Sequence, residues 1–284
     1  MRGRTVSDSR PIGIFDSGLG GLTVAKEIFR IMPREKILYL GDTARFPYGG
    51  RSPETIGTFA EQIARFLIPR DIKLLIVACN TASSVGLERV QKINHSMPVI
   101  GVVLPGAKAS VMRTAEKKIG IIGTKATINA GAYTRAIADI DASIKTYGKP
   151  CPLFAPLVEE GLFDSDIARL VAQRYLYPLV DIGIDCLVLG CTHYPLLYEV
   201  IQETVGASIQ LIDSALWTAK EAQDILLALD VLAPGSESEG IANSAFYATD
   251  LSPDFEKSAE LFMGKKIPEV EMISLDELVA CVKE

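Results

Sequence analysis

The sequence predicts an α/β protein of two lobes, each a mostly parallel sheet flanked by helices, with an active site in the cleft between them. Three observations carry this. Short, nearly continuous apolar runs alternate with amphipathic stretches of helical period, the pattern of parallel strands covered on both faces. One strand–helix order occurs twice. Each copy closes on an apolar strand ending in cysteine, at the strand end where open α/β sheets collect ligands.

Taken along the chain, Ile12–Phe15, Ile37–Leu40 and Leu74–Ala78 read as strands. Leu22–Met32 reads as a helix with Leu22, Ala25, Ile28, Phe29 and Met32 on one face, and Pro53–Leu67 as another carrying Ile56, Phe59, Ile63, Phe66 and Leu67. Helical patterns also follow the two cysteines, over Thr81–Ile93 and over Pro195–Val205, where Pro195 suits a first turn.

The repeat shows in two motifs. GIFDSG (Gly13–Gly18) parallels GIIGTK (Gly120–Lys125), and IVACNTA (Ile76–Ala82) parallels VLGCTHYP (Val188–Pro195). The cysteines lie 112 positions apart and the Gly-Ile starts 107 apart, so the motifs stay in register within a short loop. Beyond the second copy, Ile209–Ile212 reads as a strand and Asp213–Leu229 as a helix that Asp213 or Ser214 would cap. Pro234–Gly240 reads as a loop, and about Ala245–Ile273 as strand, helix and strand.

With 284 residues, 48% apolar and 23% charged, the chain can bury a sizeable core; since single cores stop growing at roughly 250–300 residues, two lobes are favoured. A net charge of −6 with no Lys/Arg run argues against nucleic-acid and membrane-surface partners and for a small polar substrate. The polar start MRGRTVSDSR lacks a signal-peptide core and no apolar run approaches the ~18 residues of a membrane span, so a cytoplasmic protein is expected. Five cysteines without C-x-x-C spacing do not make a disulfide framework; Cys151, Cys186 and Cys281 are assigned to structure.

Cys79 and Cys191 are different by position. Facing each other across a cleft, two thiols can remove an amino acid's α-proton from one face and return one to the other, which inverts the centre. Helix amino termini at Asn80–Thr81 and Thr192–His193 would lower the thiol pKa values and offer N–H groups to a carboxylate. His193 is either an acid/base partner of Cys191 or a helix-cap or packed histidine. Asp16 either serves Cys79 in the same way or caps the helix near Leu22.

Gly18, Gly20 and Gly21 form an incomplete phosphate-loop fingerprint, better read as a tight turn with close backbone approach. Pro47, Tyr48 and Gly49 form a loop that is equally a structural turn or a ligand contact. Cys191-x-His193 with Cys79 and Asp16 lacks zinc spacing, so no metal is expected, and no lysine argues for pyridoxal.

IGIFDSGLGGLTV, YLGDTARFPYG, VACNTAS, PLVEEG, LGCTHYPLL, LIDSA and FYATDLSPDF together resemble the glutamate racemases of the aspartate/glutamate racemase family, from about Pro11 to near the carboxyl terminus. The resemblance implies pseudo-twofold α/β lobes, no cofactor, and interconversion of L- and D-glutamate for peptidoglycan synthesis. By motif it assigns Cys79 and Cys191 as proton carriers. It places Asp16, Ser17, Tyr48, Gly49, Asn80, Thr81, Thr192 and His193 at the substrate, with Thr124 as a further carboxylate contact. It sets Glu159, or its neighbour Glu160, as an acidic group near Cys191.

The resemblance further implies that the chain after about Leu211 returns to the first lobe, giving lobes 11–100 plus 212–284 and 101–211; Met1–Arg10 is a polar extension outside it, and a homodimer is an admissible assembly. Two other readings stay open: an aspartate racemase or related two-thiol epimerase, and a two-lobed amino-acid-binding protein with structural cysteines.

Overall fold

The computed structural model describes residues 8–94, 96–234 and 239–281. Residues 1–7 of the expected extension and 235–238 of the expected loop lie outside the described residues. Among the described residues, ten strands form two sheets, every neighbouring pair parallel. They are β1 (Ile12–Asp16), β2 (Ile37–Gly41), β3 (Leu74–Val77), β4 (Val99–Gly101), β5 (Lys118–Gly123), β6 (Lys145–Pro150), β7 (Cys186–Gly190), β8 (Gln210–Asp213), β9 (Ala245–Ala248) and β10 (Val270–Met272).

The predicted duplication is visible in the strand order. The first sheet runs β10-β9-β2-β1-β3-β4 and the second β6-β5-β7-β8, so β2-β1-β3-β4 has the same order as β6-β5-β7-β8. The Gly-Ile starts occupy equivalent places. A Cβ on Gly13 would stand 2.6 Å from Ile72 Cδ1, and one on Gly120 would stand 2.6 Å from Ile184 Cδ1. In each sheet the isoleucine just ahead of the cysteine-bearing strand packs down on the central strand's glycine and would have to shift for any larger residue.

The helices match the apolar spacing at Leu22–Ile31 and Pro53–Leu67, the latter capped by Ser52, whose hydroxyl accepts from Thr55 N at 3.2 Å. The helix expected over Thr81–Ile93 is two helices, Asn80–Val85 and Leu87–Lys92, parted at Gly86. There the chain lies so close to the helix Pro53–Leu67 that a Cβ would meet Ala60 Cβ at 3.1 Å. The stretch expected as one helix from Pro195 opens with a 3-10 turn, Tyr194–Leu197, before the helix Tyr198–Val205. The helix Ser214–Ala228 starts as expected on Asp213, whose carboxylate accepts from Ala215 N at 2.8 Å.

The largest apolar cluster joins the halves. Ile12, Ile14 and Ile76 of the first sheet belong to one buried cluster with Ile122, Leu187 and Leu189 of the second. After the helix Ser214–Ala228 the chain is pinned beneath the first sheet by Lys73. Its ammonium pairs with Glu35 at 2.7 Å and donates to Val231 O at 2.8 Å, while Glu35 Oε1 accepts from Ala233 N at 2.8 Å. Further on, β9 pairs with β2 and places Thr249 against Asp42.

Candidate active site

In β1, Asp16 lies level with Gly41 of β2, and in β7, Gly190 lies level with Gly123 of β5, so the carboxyl ends of the central strands form two even rims. Between them is a cavity of about 270 Å³. Cys79, beyond the end of β3, and Cys191, beyond the end of the equivalent β7, both line it. Ser17, Tyr48, Gly49, Asn80 and Thr81 complete the wall from the first half, and Thr124, Thr192 and His193 from the second. Asp16 and Glu159 stand behind it, each one contact away from a lining residue.

On the first side, Cys79 is the cap residue of the helix Asn80–Val85: its sulfur accepts from Ala82 N at 3.4 Å and donates to Ser17 Oγ at 3.5 Å. The expectation that a helix terminus would lower this thiol is corrected. Burial, reinforced by the Asp16 charge, pushes Cys79 up to about 12, outweighing the Ser17 and Ala82 contacts. Asp16 is itself fully buried. Burial raises its carboxyl above the usual range, against the attraction of His193. It does not cap the helix at Leu22, whose cap position is Gly21; instead its Oδ2 accepts from Gly18 N at 3.0 Å and its Oδ1 accepts from Thr192 Oγ1 at 3.5 Å.

The second side is built around a ring. His193 Nδ1 lies 3.9 Å from Cys191 Sγ and its Nε2 contacts Glu159 Oε1 directly. No side-chain cap bond is made, so the cap alternative for His193 does not hold. Burial alone would lower this imidazole, but hydrogen bonds with Cys191 and Glu159 overcome it and raise the group to about 10. Phe46 stacks on the ring at a centroid distance of 5.7 Å, and Phe262 meets it edge-on at 5.0 Å. Of the two neighbouring acids, Glu159 is the one at His193; Glu160 follows as the cap residue of the helix Phe154–Glu159.

The glycine turn does what the motif suggested. A Cβ on Gly20 would lie 2.3 Å from Thr192 Oγ1 and 2.7 Å from His193 Nδ1, so bare backbone there lets the halves meet. The Tyr48–Gly49 loop is held by Asp42, which accepts from Tyr48 OH, from Arg45 Nε at 2.7 Å and from Thr249 Oγ1 at 3.0 Å. At the cavity wall Thr81 of the first half meets Thr124 of the second, their Oγ1 atoms hydrogen-bonded at 3.0 Å.

Several lining residues escaped the motif reading: Phe46, Lys125, Pro152, Ala155 and Pro156. Lys125 adjoins Thr124 in GIIGTK and brings a cation to the rim, a signal that the motif comparison could have used. Pro152 precedes and Ala155 and Pro156 belong to the helix that carries Glu159, so the acid and the wall come from one segment. Among the described residues, no group of three or more His, Cys, Asp or Glu side chains is arranged to hold a metal ion.

Known proteins resemble this chain over most of its length. A family model described as Asp/Glu/Hydantoin racemase matches residues 12–222. A glutamate racemase from Geobacter metallireducens is 47% identical, covering 94% of this chain and 97% of its own, and one from Chlorobaculum tepidum is 44% identical, covering 95% and 98%. The crystal structure of glutamate racemase from Francisella tularensis in complex with D-glutamate superposes with a TM-score of 0.88 at 39% identity, covering 95% of this chain and 99% of that one. A repeated parallel unit, a cysteine at the same strand end of each copy, and a match through both copies agree: the chain belongs to the Asp/Glu/Hydantoin racemase family.

Proposed function

We propose that this protein interconverts L- and D-glutamate without a cofactor, using Cys79 and Cys191 as the two proton carriers. The observation that carries the reading is that two thiols at equivalent strand ends line one small cavity. In each turnover one sulfur, as thiolate, takes the α-proton from one face, and the electron pair left on carbon is shared with the α-carboxylate. The opposite thiol then gives its proton to the other face. One thiol and one thiolate have exchanged places, and the substrate differs only in configuration.

The charge that develops on the carboxylate needs donors placed in advance. Ser17, Asn80, Thr81, Thr124 and Thr192 supply hydroxyl and amide groups at the wall, and Tyr48–Gly49 closes one side. His193 would act with Cys191, and Asp16 with Cys79, while Glu159 would orient and charge the His193 ring. Glutamate as substrate is supported by the relatives that carry its name, and by the Francisella structure in complex with D-glutamate.

The proposed setting is a cytoplasmic enzyme supplying D-glutamate to peptidoglycan synthesis; among the described residues no helix is long and apolar enough to cross a membrane. The proposed lobes are 11–100 plus 212–284 and 101–211, supported by the return of β9 and β10 to the first sheet.

Purified protein incubated in deuterated water with D-glutamate, D-aspartate or alanine, without added cofactor, should lose optical rotation and exchange the α-proton for glutamate above the others. Silence with all three sinks the reading, and preference for aspartate moves the substrate. Cys79→Ser and Cys191→Ser should each lower racemisation by about 10²–10⁴-fold with an unchanged circular dichroism spectrum.

A further inference from the structure

Asn80 follows Cys79 at the cavity wall, yet only half of its amide is satisfied. Its Oδ1 accepts from the hydroxyl of Tyr133 at 2.7 Å, while its buried Nδ2 has no hydrogen-bond partner among the described residues. Asn80 belongs to the segment after β3 in the first sheet, and Tyr133 to the helix Ala132–Ile140 that packs on the second. The bond therefore spans the two halves beside the site.

Tyr133 is itself fixed. Its ring lies between Gly106 and Gly190: a Cβ on Gly106 would be 3.1 Å from its Cε1, and one on Gly190 would be 3.4 Å from its Cε2. Gly190 immediately precedes Cys191, so one buried phenol touches the approach to both cysteine segments. Burial holds this phenol protonated, well above its ordinary value, and the Ser214 hydroxyl sits beside it as a further partner. A protonated phenol with a neighbour of its own has one proton to give, and Asn80 Oδ1 takes it.

We propose that Tyr133 is a positioning residue that locks the Asn80 amide with Oδ1 turned to the phenol, reserving Nδ2 as a donor for the substrate's carboxylate. The inference rests on the glutamate reading above. A buried donor without a partner is costly and becomes favourable when an incoming acceptor supplies the bond. With Tyr133 absent, the amide can turn its oxygen toward an anionic substrate, which repels it. Because this amide holds the carboxylate in the ground state as well as in the transition state, most of the loss should fall on KM and only a lesser part on kcat.

The test is a double-mutant cycle of Tyr133→Phe and Asn80→Ala, with KM and kcat measured for both glutamate enantiomers and thermal midpoints recorded for each variant. Tyr133→Phe is expected to raise KM about fivefold or more with kcat within about threefold. In the Asn80→Ala background the same change should alter KM less than about twofold. A KM for Tyr133→Phe near that of the wild type, or effects that multiply in the double variant, overturns the inference while leaving the racemase reading intact.

Asn80→Asp gives an independent arm, since it keeps an acceptor for Tyr133 and removes the donor. It should raise KM at least as much as Asn80→Ala. Wild-type affinity in that variant also overturns the inference. A wild type that does not turn over glutamate overturns the parent reading and this one together.

Discussion

Cys191 Sγ and His193 Nδ1 lie 3.9 Å apart, with Glu159 closing on the opposite nitrogen of the same ring. The first cysteine has no such neighbour: Cys79 meets the Ser17 hydroxyl at 3.5 Å and feels a buried carboxylate, Asp16. Two chemically opposite environments thus flank the cavity. An imidazole held at about 10 is a cation at neutral pH, and it faces one sulfur, while the other sulfur is pushed toward the neutral thiol at about 12. The second side is thus the one whose sulfur faces a cation.

That asymmetry makes Glu159 the residue to change first. Glu159→Gln keeps the size of the group and removes the charge that helps keep His193 protonated. Racemisation should fall about tenfold or more, mainly in kcat, because the lost effect would bear on the proposed proton transfer at Cys191. Glu160→Gln should stay within about twofold of wild type, since it is Glu159 that holds the ring. Equal losses in the two variants would undo the assignment of Glu159.

The same contacts set a pH dependence of stability. The folded-state pKa of His193, about 10, lies above its ordinary value of 6.5, so the charged ring stabilises the fold. This contribution is fully present below pH 6.5 and is lost as pH rises through about 10. Urea unfolding of wild type and His193→Gln at pH 6 and at pH 10 should therefore show a larger gap at the lower pH. A gap that widens toward pH 10 would reverse the sign and with it the account of the ring.

Much of this was legible in the sequence because it depends on local pattern. The apolar runs Ile12–Phe15 and Leu74–Ala78 and the cysteine that follows each copy's buried strand are continuous in the chain, and so they gave both sheets and both thiols. What stayed hidden depends on distance or on edges. Strand β6, KTYGKP, is a partly exposed edge with little apolar signal and a proline at its end. Phe262 reaches His193 only because β9 and β10 return to the first sheet, and Tyr133 reaches Asn80 across 53 positions. The direction of the Cys79 shift was also hidden: a short helix terminus is visible in sequence, whereas the burial that outweighs it is not.

Gly20 offers a test of how closely the halves must meet. The helix that follows it, Leu22–Ile31, packs against the helix Ser214–Ala228, so the backbone at Gly20 has little room to retreat. In Gly20→Ala the new methyl would stand 2.3 Å from Thr192 Oγ1 and 2.7 Å from His193 Nδ1, and something must shift. If the turn holds, Thr192 is displaced from Asp16 and the His193 ring turns away from Cys191 and Glu159 together. Activity should drop by about 10²-fold, the scale of a misplaced reacting group, with about 1–3 kcal/mol lost in unfolding free energy from overpacking. Gly50→Ala is the control, because a Cβ there meets nothing within 4 Å although Gly50 lines the same cavity. If the two variants behaved alike in a steady-state assay, backbone contact at Gly20 would not be what holds Thr192 and His193 in place.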